Sequence, residues 1–89
     1  MSLRIKHQGE TFLVEGNINS TTLKQFKNHL EFLLSYTKEL TIDLNGVKGI
    51  DNDGVNVLKE LYFKAITINK KFSIIGNAYQ EICDDFHFN

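Results

Sequence analysis

The chain has 89 residues, 42% of them hydrophobic and 24% charged, which predicts one globular domain over residues 1–89 with no room for a cofactor domain beside a substrate domain. Lys and Arg number 10 against 11 Asp and Glu, a net charge of −1, so no basic field holds a nucleic-acid backbone. No apolar run approaches the roughly 18 residues of a membrane helix, no signal peptide is evident, and the lone Cys83 cannot close a disulfide within the chain; a cytoplasmic, reducing location is expected.

Leu3, Ile5 and His7 alternate with polar residues and predict a strand. Gln8-Gly9-Glu10 reads as a tight turn, and Thr11 to Glu15 as the second arm of a hairpin, closed by Gly16-Asn17. Asn19-Ser20-Thr21-Thr22 is a cluster of helix starters, and Thr22 with Gln25 fits a capping box. Leu23, Phe26, Leu30, Leu33 and Leu34 then recur at helical spacing, with Lys24, Lys27, Asn28 and Glu31 toward water. This helix should fade near Tyr36-Thr37.

Leu40, Ile42 and Leu44 alternate into a third strand that Asn45-Gly46 should end, leaving Val47 and Ile50 in a short loop. After Asp51-Asn52-Asp53-Gly54, a second helix carries Val55, Leu58, Tyr62 and Ala65 on one side, with Leu61 and Ile68 widening its apolar face. Lys70-Lys71 reads as a solvated turn before the strand Phe72–Ile75. Gly76-Asn77 turns the chain, and Tyr79, Ile82, Cys83 and Phe86 fit a last short amphipathic helix. The alternation predicts an α/β fold. Its mixed sheet has about four strands, opened by a hairpin, with about three helices mostly on one face.

The segment Asp51-Asn52-Asp53-Gly54 is the most informative. It follows a strand and starts a helix, whose first amides lack internal partners. Asp51 or Asn52 can accept from them, Asp53 suits the positive end of the helix dipole, and Gly54 permits close backbone approach. An acidic helix cap accounts for most of this pattern. Calcium is a poor fit. Asp51, Asp53 and Glu60 fall at EF-hand positions, but the first ligand position would be Gly49 and no helix precedes it. Asp-x-Asp-Gly-Val after a strand also resembles the first motif of haloacid-dehalogenase-type phosphatases, which would make Asp51 a nucleophile and Asp53 its acid and base. That reaction needs a positioned cation and further acidic ligands; Lys70 and Asp84-Asp85 are the candidates, in a chain too short for that fold. His7, His29 and His87 fall in separate elements without ligand spacing, and Cys83 has the setting of an inert apolar thiol.

From Val14 to Phe86 the chain resembles the STAS domains of bacterial anti-sigma-factor antagonists. The segment from Val14-Glu15-Gly16 through Ile18-Asn19-Ser20 to Thr22 follows the family's pattern before its first helix. Ile42-Asp43-Leu44-Asn45-Gly46-Val47 is similar to its aliphatic-Asp-Leu-Ser-Gly-Val strand end. Asp51-Asn52-Asp53-Gly54 falls on its Asp-Ser-Ser-Gly signature, and Phe72-Ser73-Ile74-Ile75-Gly76 on its fourth strand. In such antagonists the second Ser of the signature is phosphorylated by a kinase that is also the anti-sigma factor, and the phosphate releases the partner. Here that position is Asp53 and the preceding Ser is Asn52; the acidic residue expected before the first helix is Asn19. The resemblance implies a non-catalytic regulatory module without metal or cofactor. Its partner surface would comprise Asn19, Ser20, Asp51, Asn52, Asp53, Gly54, Val55 and Asn56. Asp53 would imitate phosphoserine imperfectly, with about one negative charge against about 1.5 to 2. The implied partner is a protein resembling an anti-sigma kinase or, alternatively, an ABC-type lipid transporter that a small STAS subunit supports. Neither nucleic-acid binding nor membrane insertion is expected. Pairing of two copies, and phosphorylation at Ser20, Thr21 or Thr22, stay open.

Overall fold

The computed structural model describes residues 3–76. The chain order is β1 (Leu3–Gln8), β2 (Thr11–Ile18), α1 (Leu23–Tyr36), β3 (Glu39–Ile50), α2 (Asn52–Thr67) and β4 (Lys71–Ile75). The strands form one sheet in the order β1-β2-β3-β4. β1 and β2 are an antiparallel hairpin turned at Gly9, whose φ of 64° suits a residue without a Cβ. β2, β3 and β4 are parallel, as expected of strands joined through helices. The expected helix around Tyr79–Phe86, with Cys83 and His87, lies outside the described residues.

Period-two alternation builds the core face. Phe12, Val14 and Ile18, Leu40, Ile42 and Leu44, and Phe72 and Ile74 are all buried. They meet Phe26, Leu30 and Leu34 of α1 and Val57, Leu58, Leu61 and Ala65 of α2 in one apolar cluster. Leu23, Leu33 and Tyr62 pack at its margin, whereas Val55 is half-buried and Ile68 faces water. The expected apolar stripes are therefore shifted slightly around each helix. The opposite sheet face carries Arg4, Lys6, Glu15, Asp43 and Ser73 and is not covered by α1 or α2.

Two strands outrun their expected ends. β2 continues through Gly16-Asn17 to the fully buried Ile18, and β3 continues through Asn45-Gly46 to Ile50. The pairing of β2 with β3 shifts register between Leu13 and Glu15 and again between Gly16 and Asn17. The glycines are the sites of irregular pairing, not of chain reversal. Gly16 takes a φ of 106°, and a Cβ on Gly46 would lie 2.9 Å from Glu15 Cγ.

Outside the core, α1 and α2 are joined by Lys27–Glu60 at 3.2 Å and Glu31–Lys64 at 3.5 Å. Lys27 and Glu31 are thus half-buried in ion pairs instead of free in water. Asn69, at φ 61°, ends α2 in the left-handed conformation that asparagine tolerates, and the Lys70 N–H donates to the Ala65 carbonyl at 2.8 Å. The Lys70 ammonium is not simply solvated. It donates to the Leu34 and Ser35 carbonyls at the end of α1.

Candidate functional site

The parallel strands β2 and β3 both end where their following connections start, which brings two loops together. The Asp51 N–H donates to the Ile18 carbonyl at 3.1 Å, so the end of β3 is tied to the end of β2. Asp51 is the N-cap of α2, its Oδ1 accepting from the Gly54 N–H at 2.9 Å. Asp53 lies in the first turn, where a carboxylate opposes the positive helix end. Gly54 is buried, with Ile18 and Ile50 so near that it presents backbone alone.

The neighbouring loop closes on itself. Asn19 Oδ1 accepts from the Thr21 N–H at 3.0 Å and the Thr22 N–H at 3.3 Å. The expected capping box does not form, since Thr22 makes no side-chain cap. Its hydroxyl turns inward, donates to the Asn17 carbonyl at 2.7 Å and accepts from the Asn19 N–H at 3.1 Å. Gln25 reaches the Leu3 carbonyl instead, at 3.2 Å. Backbone groups of β1, β2 and the loop outcompete the reciprocal cap for these side chains.

Asp51, Asn52, Asp53, Asn56 and Ser20 are exposed; Asn19 and Val55 are half-buried. The Asp51 backbone bond to Ile18 links the two loops, so the Asn19-Ser20 turn and the start of α2 rise from adjacent strand ends. Thr22, expected as a helix cap, is instead 3% exposed and anchors the loop from inside. Its signal was available: Thr22, Phe26 and Leu30 continue the buried stripe backward at a spacing of four. Among the described residues, no group of three His, Cys, Asp or Glu side chains is arranged to hold a metal ion, and no helix is long and apolar enough to cross a membrane.

A hairpin-led mixed sheet, with a polar helix start and a closed turn at its parallel strand ends, defines an α/β fold of the kind seen in anti-sigma-factor antagonists. The model of the STAS domain matches residues 2–78, and the chain belongs to that family. An anti-sigma factor antagonist from Mycobacterium paratuberculosis is similar at a TM-score of 0.70 and 19% identity, over 90% of this chain and 72% of that one. The antagonist SpoIIAA in its unphosphorylated form is similar at a TM-score of 0.70 and 8% identity, over 93% of this chain and 82% of that one. A diguanylate cyclase, SiaD, in complex with its activator SiaC from Pseudomonas aeruginosa, contains a chain similar at a TM-score of 0.56 and 14% identity, over 96% of this chain and 82% of that one. No curated protein sequence matches the chain.

Proposed function

We propose that this chain is a non-catalytic, cytoplasmic interaction module of the anti-sigma-antagonist type, working as one unit over residues 1–89. It binds a protein partner through the start of α2 and the Asn19-Ser20 turn. The observation that supports this reading is the exposed Asp53 carboxylate on a helix start that Asp51 caps and Ile18 tethers. Rigid strands carry these loops, an arrangement suited to recognition. Asp53 takes the position of the family's phosphorylatable serine and has no hydroxyl to modify. The partner therefore meets a fixed carboxylate, and serine phosphorylation at this loop does not set the affinity.

Affinity capture with wild-type and Asp53→Ser baits tests the reading. A partner retained by one bait and lost by the other supports it, and identifying the captured protein separates a kinase-like partner from a transporter subunit. Equal capture by both baits removes the carboxylate from partner choice. A phosphatase assay with magnesium addresses the competing chemistry: turnover abolished by Asp51→Asn would make Asp51 a nucleophile and defeat the non-catalytic reading.

A further inference from the structure

A second surface lies along the free edge of the sheet, away from the helix-start loops. β1 is the terminal strand of the sheet. All six of its residues pair with β2 without a bulge, from Leu3↔Gly16 to Gln8↔Thr11, and it contains no proline. Sheet edges are commonly blunted by bulges, prolines, short strands or charged side chains; of these β1 carries only the charges of Arg4 and Lys6. In an antiparallel pair the backbone groups of alternate residues face away from the partner strand. Gln25 Nε2 reaches the Leu3 carbonyl, which sets the outward-facing series as Leu3, Ile5 and His7.

The same contact orients α1 over this edge. Gln25, His29, Phe32 and Tyr36 follow the spacing i, i+4, i+7, i+11, one stripe along the helix. Gln25 touches the beginning of β1, and Thr37, next to Tyr36, lines one cavity with His7 and Phe12, so the stripe runs beside the strand. Leu3 to His7 spans about 13 Å of strand, and Gln25 to Tyr36 about 16 Å of helix. Phe32 is 59% exposed and Tyr36 76% exposed, their rings in contact at a centroid distance of 4.7 Å. Among the described residues, a strand edge without a further strand thus forms the floor of a ledge, and an aromatic stripe forms its wall.

The opposite side of that edge carries two cations. Arg4 and Lys6 lie exposed on the sheet face that α1 and α2 leave bare. Lys6 pairs with Glu15 at 3.4 Å, and the register sets Arg4 across from the same Glu15. The two cations outnumber the one carboxylate set beside them. Antiparallel pairing with a second copy of β1 centred on Ile5 would set Arg4 of each copy against Lys6 of the other, which is unfavourable.

We propose that the β1 edge binds an extended acidic segment of a partner protein as a fifth strand. Alternate side chains of that segment point to opposite sheet faces. Its apolar residues meet Phe32 and Tyr36, and its carboxylates meet Arg4 and Lys6. Backbone pairing to Ile5 and His7 supplies attachment, and the two walls supply selection.

The test is titration of the full chain with an acetylated eight-residue peptide alternating glutamate with valine, followed by amide NMR. The expected result is saturable binding with shifts at residues 3–8 and 29–36 and slowed exchange of the Ile5 and His7 amides. The Phe32→Ala, Tyr36→Ala double variant should bind about tenfold more weakly. Lys6→Glu should weaken the acidic peptide and favour one alternating lysine with valine. Each substituted side chain is exposed, and circular dichroism verifies the fold of the variants. Absence of saturable binding, shifts confined to residues 51–56, or a dimer of the free chain protected at Ile5 and His7 would each overturn the proposal.

Discussion

A Cβ added to Gly54 would lie 2.7 Å from Ile18 Cγ2, and 2.7 Å from Ile50 Cγ1 as well. The start of α2 is seated directly on the last residues of β2 and β3, and only a hydrogen at this position permits it. Gly54→Ala gains some helix propensity but must push two buried or half-buried isoleucines aside. The expected net loss is about 1–2 kcal/mol, measured by urea unfolding. Amide shifts in the variant should concentrate at Ile18, Asn19 and residues 50–56, because the seat joins both loops.

The Asp51 carboxylate accepts from the Gly54 N–H, so its removal exposes an unsatisfied helix start. Asp51→Ala should cost about 1 kcal/mol of stability, while Asp51→Asn, also a good cap, should cost less. Denaturant midpoints of the two variants give the comparison. Equal loss in both would mean that the charge, not the cap, is what stabilises the helix start.

Lys70 follows α2 in sequence yet closes the end of α1. Its ammonium donates to the Leu34 and Ser35 carbonyls, which have no following turn to bond. Lys70→Met keeps much of the apolar stem and removes the donor. A loss of about 1–2 kcal/mol is expected from two charge-assisted bonds, one of them exposed. Faster amide exchange at the last turn of α1 should accompany it.

At the hairpin turn, Glu39 holds the Glu10 carboxyl above its ordinary range. The hydrogen bond between the two acids is the main cause, followed by their charge repulsion and slight desolvation. The protonated form is favoured in the folded chain, which therefore binds more protons than the unfolded one across this interval. Stability from this contact is full below the ordinary carboxylate range and declines as pH rises through the raised value. Glu10→Gln keeps a donor and removes the repulsion. Unfolding curves taken between about pH 4 and pH 7 should show a flatter dependence for the variant than for the wild type.

Periodicity exposed the elements well because burial and alternation coincide in this chain. Leu40, Ile42 and Leu44 announced β3, and Phe26, Leu30 and Leu34 announced the face of α1. The misplaced strand ends have a common physical origin. Gly16 and Asn45-Gly46 look like turn residues, but each sits in a strand where pairing shifts register. Local composition does not distinguish a bulge from a reversal, since both need a residue that relaxes steric limits. The capping box does not form because Thr22 turns back to Asn17 in the preceding strand end, and Gln25 finds a partner in Leu3, distant in sequence, that no local spacing reveals. Asp51 as the cap and Gly54 as the close contact were legible, because helix starts obey local rules. The burial of Thr22 was legible too, since it continues the stripe of Phe26 and Leu30 at a spacing of four, but its hydroxyl's partners were not.

The two ion pairs between α1 and α2 alternate in sign along the groove: Lys27 meets Glu60, and one turn later Glu31 meets Lys64. Pairs this exposed contribute little to net stability. Their order nevertheless acts as a vernier. Sliding one helix past the other by a single turn would set lysine against lysine or glutamate against glutamate, so only the native alignment matches every charge. The helix that carries Asp53 is held in step with its neighbour by this alternation, independently of how tightly the interior is packed.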